Sequence, residues 1–272
     1  MEHPSSQSPI SNEEALKQVW ALRQKIRHNQ FESMTSGLAS GMVQGNLVIL
    51  PKDDADEFEM FCKLNPKPCP LVGLSKPGDP SIPELGNNID IRTDIPRYLV
   101  YQNGKMTDEV SDIQSLWRED FVAFILGCSY SFEGALVRSG VTPRNVSEGK
   151  NVSMYRTSIK VEPSGKFQGY MVVSMRPYLP EDAIEAIVIT ARFSRTHGAP
   201  IHFGNPADIG IADITQPDFG DAVEIKSGEV PVFWACGVTP QLVLEQTKPE
   251  FCITHKPGYM LITDRFDHEF ED

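Results

Sequence analysis

The sequence predicts an α/β fold in which a large layered α/β domain carries a smaller inserted α+β domain of two layers. Helical spacing and short apolar strands are mixed at both ends of the chain, whereas two alternating strands, a helix and a third strand follow one another in its middle. The 272 residues suffice for a sizeable core. The main domain is expected to span residues 1–149 and 205–272, and the inserted domain residues 150–204.

The first elements have clear local signals. Residues 1–10 are polar and rich in Pro and Ser, which predicts a flexible tail. A capping-box spelling at 11–14 opens a helix that should run to about His28. Residues 46–50 predict a short buried strand, and residues 53–64 predict a helix whose acidic first turn suits the helix dipole.

The middle of the main domain is less regular. Three prolines in residues 65–70 exclude regular structure there, and the Pro/Gly/Asp-rich residues 75–97 form either a functional loop or a wrap around the domain. Residues 116–126 have apolar positions at helical spacing and predict a helix that breaks at 127–129. A second helix is predicted over 131–136, with Gly140 closing it.

The inserted domain is predicted from alternation. Residues 152–161 and 167–175 read as paired strands around a turn at 163–165, and a helix over 181–193 and a strand at 201–203 follow. The main domain then resumes with predicted strands at 209–214, 222–225, 230–235, 251–254 and 260–263, and with a helix from Thr239.

Composition narrows the function classes. A net charge of −12 argues against nucleic acid and anionic membranes as partners, although a local arginine cluster could still bind a small anion. The five cysteines form no Cys-x-x-Cys pair, which argues against a disulfide framework or a zinc ribbon. The chain begins without a signal-peptide pattern and has no apolar run of about 20 residues, so we expect a cytoplasmic protein.

The run 229–241 predicts a buried strand that ends at Cys236-Gly237 and leads into a helix at Thr239. A helix that starts after a tight turn is a common place for an anionic ligand, so Gly237, Thr239 and Gln241 are candidate binding residues. Cys236 is either a catalytic thiol with a lowered pKa or a buried structural cysteine.

The turn at 127–133 combines a thiol, two hydroxyls and a carboxylate. It is either an anion cradle, in which Ser129 and Ser131 bind substrate and Glu133 is an acid or base, or a corner with Ser131 as a helix cap. No Gly-x-Ser-x-Gly, Walker or dinucleotide glycine motif occurs, so hydrolase triads, ATPases and Rossmann dehydrogenases lack support.

Three histidines and two arginines complete the set of candidate catalytic and binding residues. His197 and His255 are candidate acids or bases, and His202 a candidate binding residue, because imidazole titrates near neutral pH; each is otherwise a structural histidine. Their spacing predicts no metal site. Arg156 and Arg176 could clamp a carboxylate, with Thr157 beside them, or form surface ion pairs.

Eight ordered segments together resemble the D-glutamate cyclase family over roughly residues 30–264. They are NPKPCPL (65–71), DIRTDIPRY (90–98), GCSYSFEGAL (127–136), NVSMYRTS (151–158), GYMVVSMRP (169–177), HGAPIHFGNP (197–206), GEVPVFWACGVTPQ (228–241) and ITHKPGYMLITD (253–264). Tyr130, Asn205 and Tyr259 depart from the usual residues, and the last two are therefore given no essential role.

The resemblance implies a two-domain α/β protein that dehydrates D-glutamate to 5-oxo-D-proline by intramolecular lactam formation. In such a scheme an arginine pins a carboxylate, His197 or His255 takes the ammonium proton, and Glu133 protonates the leaving oxygen if burial raises its pKa. The scheme needs no metal or organic cofactor, and the expected partner is a small anionic amino-acid-like substrate, with a homo-oligomer possible. Two alternatives stay open, which are a hydro-lyase on another small acid and a non-catalytic amino-acid-binding protein.

Overall fold

The computed structural model describes residues 11–39 and 41–272, so the predicted tail at 1–10 lies outside the described residues. Within them the helices are α1 (Asn12–Arg27), α2 (Lys52–Leu64), α3 (Tyr130–Arg138), α4 (Arg144–Ser147), α5 (Pro180–Ala191) and α6 (Thr239–Thr247). The strands are β1 (Met42–Pro51), β2 (Leu71–Leu74), β3 (Tyr98–Gln102), β4 (Lys105–Val110), β5 (Phe121–Gly127), β6 (Ser153–Lys160), β7 (Tyr170–Tyr178), β8 (His202–Phe203), β9 (Val230–Ala235), β10 (Phe251–His255) and β11 (Leu261–Phe266). This mixture of helices and antiparallel sheets confirms the α/β class.

The larger sheet is antiparallel and buried on both faces. Its strands follow the order β2-β5-β1-β10-β3-β4, and β11 also pairs with β1. Alternate residues of β1 face opposite layers: Leu47 and Ile49 join a cluster with the isoleucines of residues 75–97, whereas Val48 and Leu50 join one with α2 and α6. Residues 75–97 therefore wrap around the domain, as one of the two sequence interpretations held.

The wrap is held by charge as well as by apolar packing. Asp94 is fully buried and accepts bonds from the guanidinium of Arg27, with Arg23 at 3.9 Å. Both arginines lie on α1, whose predicted start is confirmed because the Ser11 hydroxyl accepts the N–H of Glu14 at 3.3 Å. In the described part of the chain, no helix is long and apolar enough to cross a membrane.

The smaller sheet has the order β6-β7-β9-β8 and is also antiparallel. One face packs on α3 and α5 through Phe132, Tyr178 and Trp234. Strand β9 therefore pairs inside the smaller sheet, although the sequence placed it with the main domain. The domain boundaries at 150 and 204 stay a prediction. Strand β9 lies outside them in sequence but pairs with β7 and β8.

The helix predicted over residues 116–126 is wrong, because residues 121–127 form the interior strand β5. All seven residues of β5 are buried, since β1 and β2 flank it and both faces are covered. A strand buried on both faces shows no polar alternation, so its apolar run imitates a helix.

The strands predicted at 209–214 and 222–225 are also absent from the described structure. A short 3-10 helix covers Pro206–Ile209, and the chain from 210 to 228 is irregular. Its apolar side chains are nevertheless buried, because Ile209, Ile211 and Val223 pack on the outer face of the smaller sheet. The pattern identified buried residues correctly but not their backbone conformation.

We predict that Phe124→Ala destabilises the protein by about 3–5 kcal/mol, because a cavity would open in the core between β5 and α2. The Phe124 ring is fully buried and meets the edge of Phe58 with centroids 5.0 Å apart. Urea unfolding measures the change. Met106→Ala is the matched control on an exposed strand position, and its cost should stay under about 0.5 kcal/mol. Equal costs for both variants would contradict the assigned core.

Candidate active site

A cleft lies between the two sheets, at the ends of β5, β9 and β10; we call it the central cleft. More open grooves exist elsewhere, including one beside Lys160 and Lys166, but the central cleft is the one lined by His255 and by the turns that follow β5 and β9. The central cleft is lined by Asn46, Cys128, Ser129, Tyr130, Asn151, Val152, Met154, Cys236, Gly237, Val238, Gln241, His255, Pro257, Gly258 and Met260.

Two strand–turn–helix units contribute to the lining. Strand β5 ends at Gly127 and leads through Cys128 and Ser129 into α3, and β9 ends at Ala235 and leads through Cys236 and Gly237 into α6. Both helix N-termini therefore border the central cleft. The partial positive charge at a helix N-terminus favours a bound carboxylate, and here two such ends act on one volume.

The two units are linked at Gly237 through the side chain of Asn46. A Cβ added to Gly237 would lie 2.3 Å from Asn46 Nδ2 and 3.5 Å from the carbonyl oxygen of Gly127. The same Asn46 nitrogen donates to that carbonyl at 3.2 Å. A side chain at position 237 would collide with the Asn46 amide, so Asn46 fills the space between the two turns and bonds to one of them.

Helix α6 is bonded to both sheets at its first turns. The Thr239 hydroxyl accepts the Val172 N–H at 3.0 Å, which ties α6 to β7 of the smaller sheet. Gln241 Nε2 donates to the His255 carbonyl at 3.3 Å, which ties α6 to β10 of the larger sheet. Thr239 is thus a buried structural hydroxyl, whereas Gln241 lines the central cleft.

His255 is a neutral imidazole at the cleft wall. Burial lowers its pKa to about 4, although the Leu47 backbone partly opposes the shift. The Leu47 N–H donates to Nδ1 at 3.1 Å, and the Leu47 carbonyl is farther away at 3.4 Å. The shorter bond occupies the Nδ1 lone pair, so the ring proton resides on Nε2. Nε2 makes no hydrogen bond to the described residues and is available to a ligand as a donor.

Arg176 and Glu133 form a buried ion pair directly beneath Ser129. Arg176 Nε and Nη2 donate to Glu133 Oε1 at 3.1 and 2.5 Å, and Nη2 and Nη1 reach the hydroxyls of Ser129 and Ser174 at 3.2 and 3.1 Å. Burial opposes the charge of Arg176, but the Glu133 carboxylate outweighs it and raises the arginine pKa. The carboxyl group that Arg176 holds is therefore the protein's own rather than the substrate's, and both partners of the pair lie outside the cleft lining.

Both cysteines of the central cleft are buried, protonated thiols. Burial raises the pKa of Cys236 to about 11, although the N–H groups of Val238 and Gly237 act in the opposite direction. Burial raises the pKa of Cys128 to about 12, against the N–H of Tyr130. The lowered Cys236 pKa considered from the sequence is therefore wrong, because desolvation outweighs the helix terminus.

His197 lies under the cleft rather than in it. It is fully buried, its backbone has a φ of 84°, and Nδ1 lies 2.6 Å from the Lys67 carbonyl, which makes Nδ1 the donor. Burial lowers its pKa to about 4. This contact anchors the proline-rich residues 65–70, so the geometry favours the structural interpretation of His197.

Four further sequence candidates lie outside the lining of the central cleft. Arg156 is exposed at 3.8 Å from Asp218, and the Thr157 hydroxyl donates to the Met171 carbonyl at 2.7 Å. His202 Nε2 bonds the Asn205 carbonyl at 2.8 Å. Ser131 is buried within α3, and its hydroxyl has no partner in the described structure, so it does not cap the helix. These side chains are engaged or enclosed elsewhere, so their expected substrate contacts gain no support.

The structure therefore brings together five of the sequence candidates, which are Ser129, Cys236, Gly237, Gln241 and His255. The sequence did not single out Asn46, Cys128, Tyr130 and Asn151, which line the same cleft. Tyr130 donates its hydroxyl proton to Asn151 Oδ1 at 3.0 Å, and burial raises its pKa. For Asn46, the available sequence signal was a polar residue at the start of the apolar run NLVIL. Within 11–39 and 41–272, no three His, Cys, Asp or Glu side chains form a metal-binding group.

The curated relatives of this chain carry provisional hydro-lyase names. One from Verminephrobacter eiseniae is 60% identical over 91% of this chain and 90% of its own length. One from Aliivibrio fischeri is 57% identical over 92% of this chain and 94% of its own. These similarities support the hydro-lyase class of enzyme.

The model of the D-glutamate cyclase family matches residues 122–264, which include both strand–turn–helix units and His255. The chain belongs to this family. Among solved structures, a nitrogen repressor-like protein from Methanococcus jannaschii aligns with 87% of this chain and 90% of its own at a TM-score of 0.38 and 12% identity. That likeness is too weak to bear on function.

We predict that Glu133→Gln destabilises the protein by about 3–5 kcal/mol, because it leaves the Arg176 guanidinium buried without a counter-charge. Urea unfolding at neutral pH measures the loss. Glu148→Gln, at a fully exposed carboxylate that pairs with Lys150, is the control and should have little effect. If Glu133→Gln keeps full stability while turnover falls, Glu133 acts in the chemistry and our structural assignment is wrong.

A second prediction concerns acid sensitivity. His197 and His255 have native pKa values of about 4, below the value of about 6.5 expected in the unfolded chain. The unfolded state therefore binds more protons between these values, so stability falls as the pH drops from about 6.5 towards 4. Each histidine should remove about 2 kcal/mol between about pH 7 and pH 5.

Unfolding by urea at several pH values measures that slope. His197→Gln and His255→Gln should each flatten it, whereas His202→Gln, at a side chain that is only partly buried, should not. A slope that stays the same in both buried-histidine variants would rule out their neutral native state.

Proposed function

We propose that the central cleft binds D-glutamate and converts it to 5-oxo-D-proline with loss of water. The observation that carries the proposal is a neutral His255 with an available Nε2–H, in a cleft that two helix N-termini border and in a chain of the D-glutamate cyclase family. Both features suit a dicarboxylate whose charge must be held and then redistributed.

In this proposal the substrate carboxylates bind backbone N–H groups of the site rather than its side chains. Ser129 and Tyr130 begin α3, Gly237 and Val238 precede α6, and all four border the cleft. Helix N-termini attract carboxylates without a titratable group. Binding one carboxylate at each end would fold the chain so that the amine approaches the γ-carbon.

In the reaction, the amine nitrogen forms a bond to the γ-carbon, and one γ-oxygen leaves as water. The tetrahedral intermediate carries an oxyanion, and the Nε2–H of His255 is the donor we assign to it. This amends the expectation from the sequence that His255 removes the ammonium proton, because its Nδ1 lone pair is already occupied by Leu47.

Two protons lost by the nitrogen must reach the leaving oxygen. We assign this transfer to Cys236, whose neutral thiol can donate one proton and accept the next. Glu133 is excluded from this role by its pairing with Arg176. A thiol with a pKa of about 11 is a weak acid, so its proton moves only to an oxygen that is becoming strongly basic.

The test is to incubate the protein with D-glutamate and L-glutamate separately and to follow 5-oxoproline by chiral chromatography. We expect 5-oxo-D-proline from the D isomer. His255→Gln should lower kcat/KM by about 100-fold to 1,000-fold, as expected when an oxyanion donor is lost.

His202→Gln is the matched control, because this imidazole bonds the Asn205 carbonyl outside the cleft and should retain full activity. Tight binding of glutamate without conversion by the unaltered protein would instead support an amino-acid-binding protein. Equal activity in both histidine variants would remove His255 from the mechanism.

A further inference from the structure

Cys128 and Cys236 occupy equivalent positions in two different units of the central cleft. Each follows the last residue of a buried strand and precedes a helix, one on β5 of the larger sheet and the other on β9 of the smaller sheet. Each is less than one-tenth exposed and lines the cleft. The proposed lactam chemistry uses one thiol, so the second needs another explanation.

The two thiols are held in fixed relation. Asn46 links the turns that carry them, because its side chain lies against Gly237 and donates to the Gly127 carbonyl at 3.2 Å. Both thiols line the same cleft. His255, only 2% exposed and with an Nε2 that bonds none of the described residues, lines the same cleft and offers a donor beside them.

We propose that Cys128 and Cys236 act as a pair of proton-transfer groups on opposite faces of the substrate Cα, so that the cleft also interconverts the two enantiomers of its amino-acid substrate. The identity of that substrate as glutamate rests on the proposed function. The thiol pair itself rests on the two equivalent positions and their shared cleft.

The step balances without an oxidant or a cofactor. One cysteine, as the thiolate, takes the Cα proton: the C–H bond breaks, an S–H bond forms, and the electron pair stays on Cα and its carboxylate. The opposite thiol then gives its proton to the other face of Cα and becomes the thiolate. Helix N-termini that hold the α-carboxylate stabilise the added charge, which acidifies the Cα–H bond.

Two features would allow these buried thiols to exchange protons with the substrate. A substrate ammonium group beside a buried thiol favours its ionised form, because an opposite charge offsets desolvation. The carboxyl ends of β5 and β9 belong to different sheets, so two thiols can flank a substrate that lies between the sheets.

The experiment uses the full chain under a phosphine reductant in D2O, with L-glutamate and D-glutamate in separate reactions. Mass spectrometry measures deuterium at Cα, and chiral chromatography measures inversion. We expect both isomers to incorporate deuterium and to interconvert. Cys128→Ser and Cys236→Ser should each reduce interconversion by about 100-fold or more.

The decisive result is a difference between the two single-cysteine variants in the enantiomer that they still exchange. Each single variant should still exchange the Cα proton of one enantiomer without inverting it, and the two variants should retain opposite enantiomers. A merely structural cysteine would not produce this reversal. Cys252→Ser is the control, because Cys252 is buried on β10 outside the cleft lining and should leave exchange unchanged; thermal melting checks the folding of all three variants.

Lactam formation without Cα exchange would overturn the thiol pair and leave the proposed function standing. Exchange without lactam would overturn the cyclisation and keep the thiol pair. If the unaltered protein shows neither Cα exchange nor lactam formation, both proposals are overturned. If each variant exchanges both enantiomers equally, the thiol pair alone is overturned.

Discussion

The ion pair between Arg176 and Glu133 is the constraint on which the site depends. Arg176 belongs to β7 in the smaller sheet, and Glu133 to α3, which continues from β5 of the larger sheet. Two buried charges are tolerated only when they are bonded to each other and to further polar groups. The additional bonds to Ser129 and Ser174 therefore set the position of α3 relative to the smaller sheet, and with it one wall of the central cleft.

The aromatic surroundings reinforce this position. The Arg176 guanidinium lies 5.3 Å from the ring centroids of both Phe132 and Trp234. Trp234 comes two residues before Cys236, and Phe132 comes one residue before Glu133, so the same packing fixes both strand–turn–helix units. Burial of one arginine thus aligns two helix N-termini that lie far apart in sequence.

The sequence predicted the class of fold, the ends of α1 and most strands of the smaller sheet, because capping residues and alternation are local signals. It misread β5, since a strand covered on both faces has no alternation to show. The hairpin of β3 and β4 was predictable from Asn103-Gly104, whose positive φ angles of 50° and 73° suit a tight hairpin turn, but it was not identified. Site geometry was less accessible: the Arg176–Glu133 pair joins residues 43 positions apart, and no local pattern distinguishes it from two surface charges.

The acidity of the whole chain is compatible with an anionic substrate because of how the cleft is charged. The net charge is −12, and the one arginine beneath Ser129 is neutralised by Glu133, so neither the surface nor that pair attracts a carboxylate. The N-termini of α3 and α6 contribute partial positive charge at the cleft. Such dipoles do not titrate and are aligned before the substrate arrives, whereas a free arginine would hold the substrate and product carboxylates equally well. The proposed reaction binds a γ-carboxylate and releases its oxygen as water, so it gains from weak, directional donors, and a neutral His255 fits the same requirement.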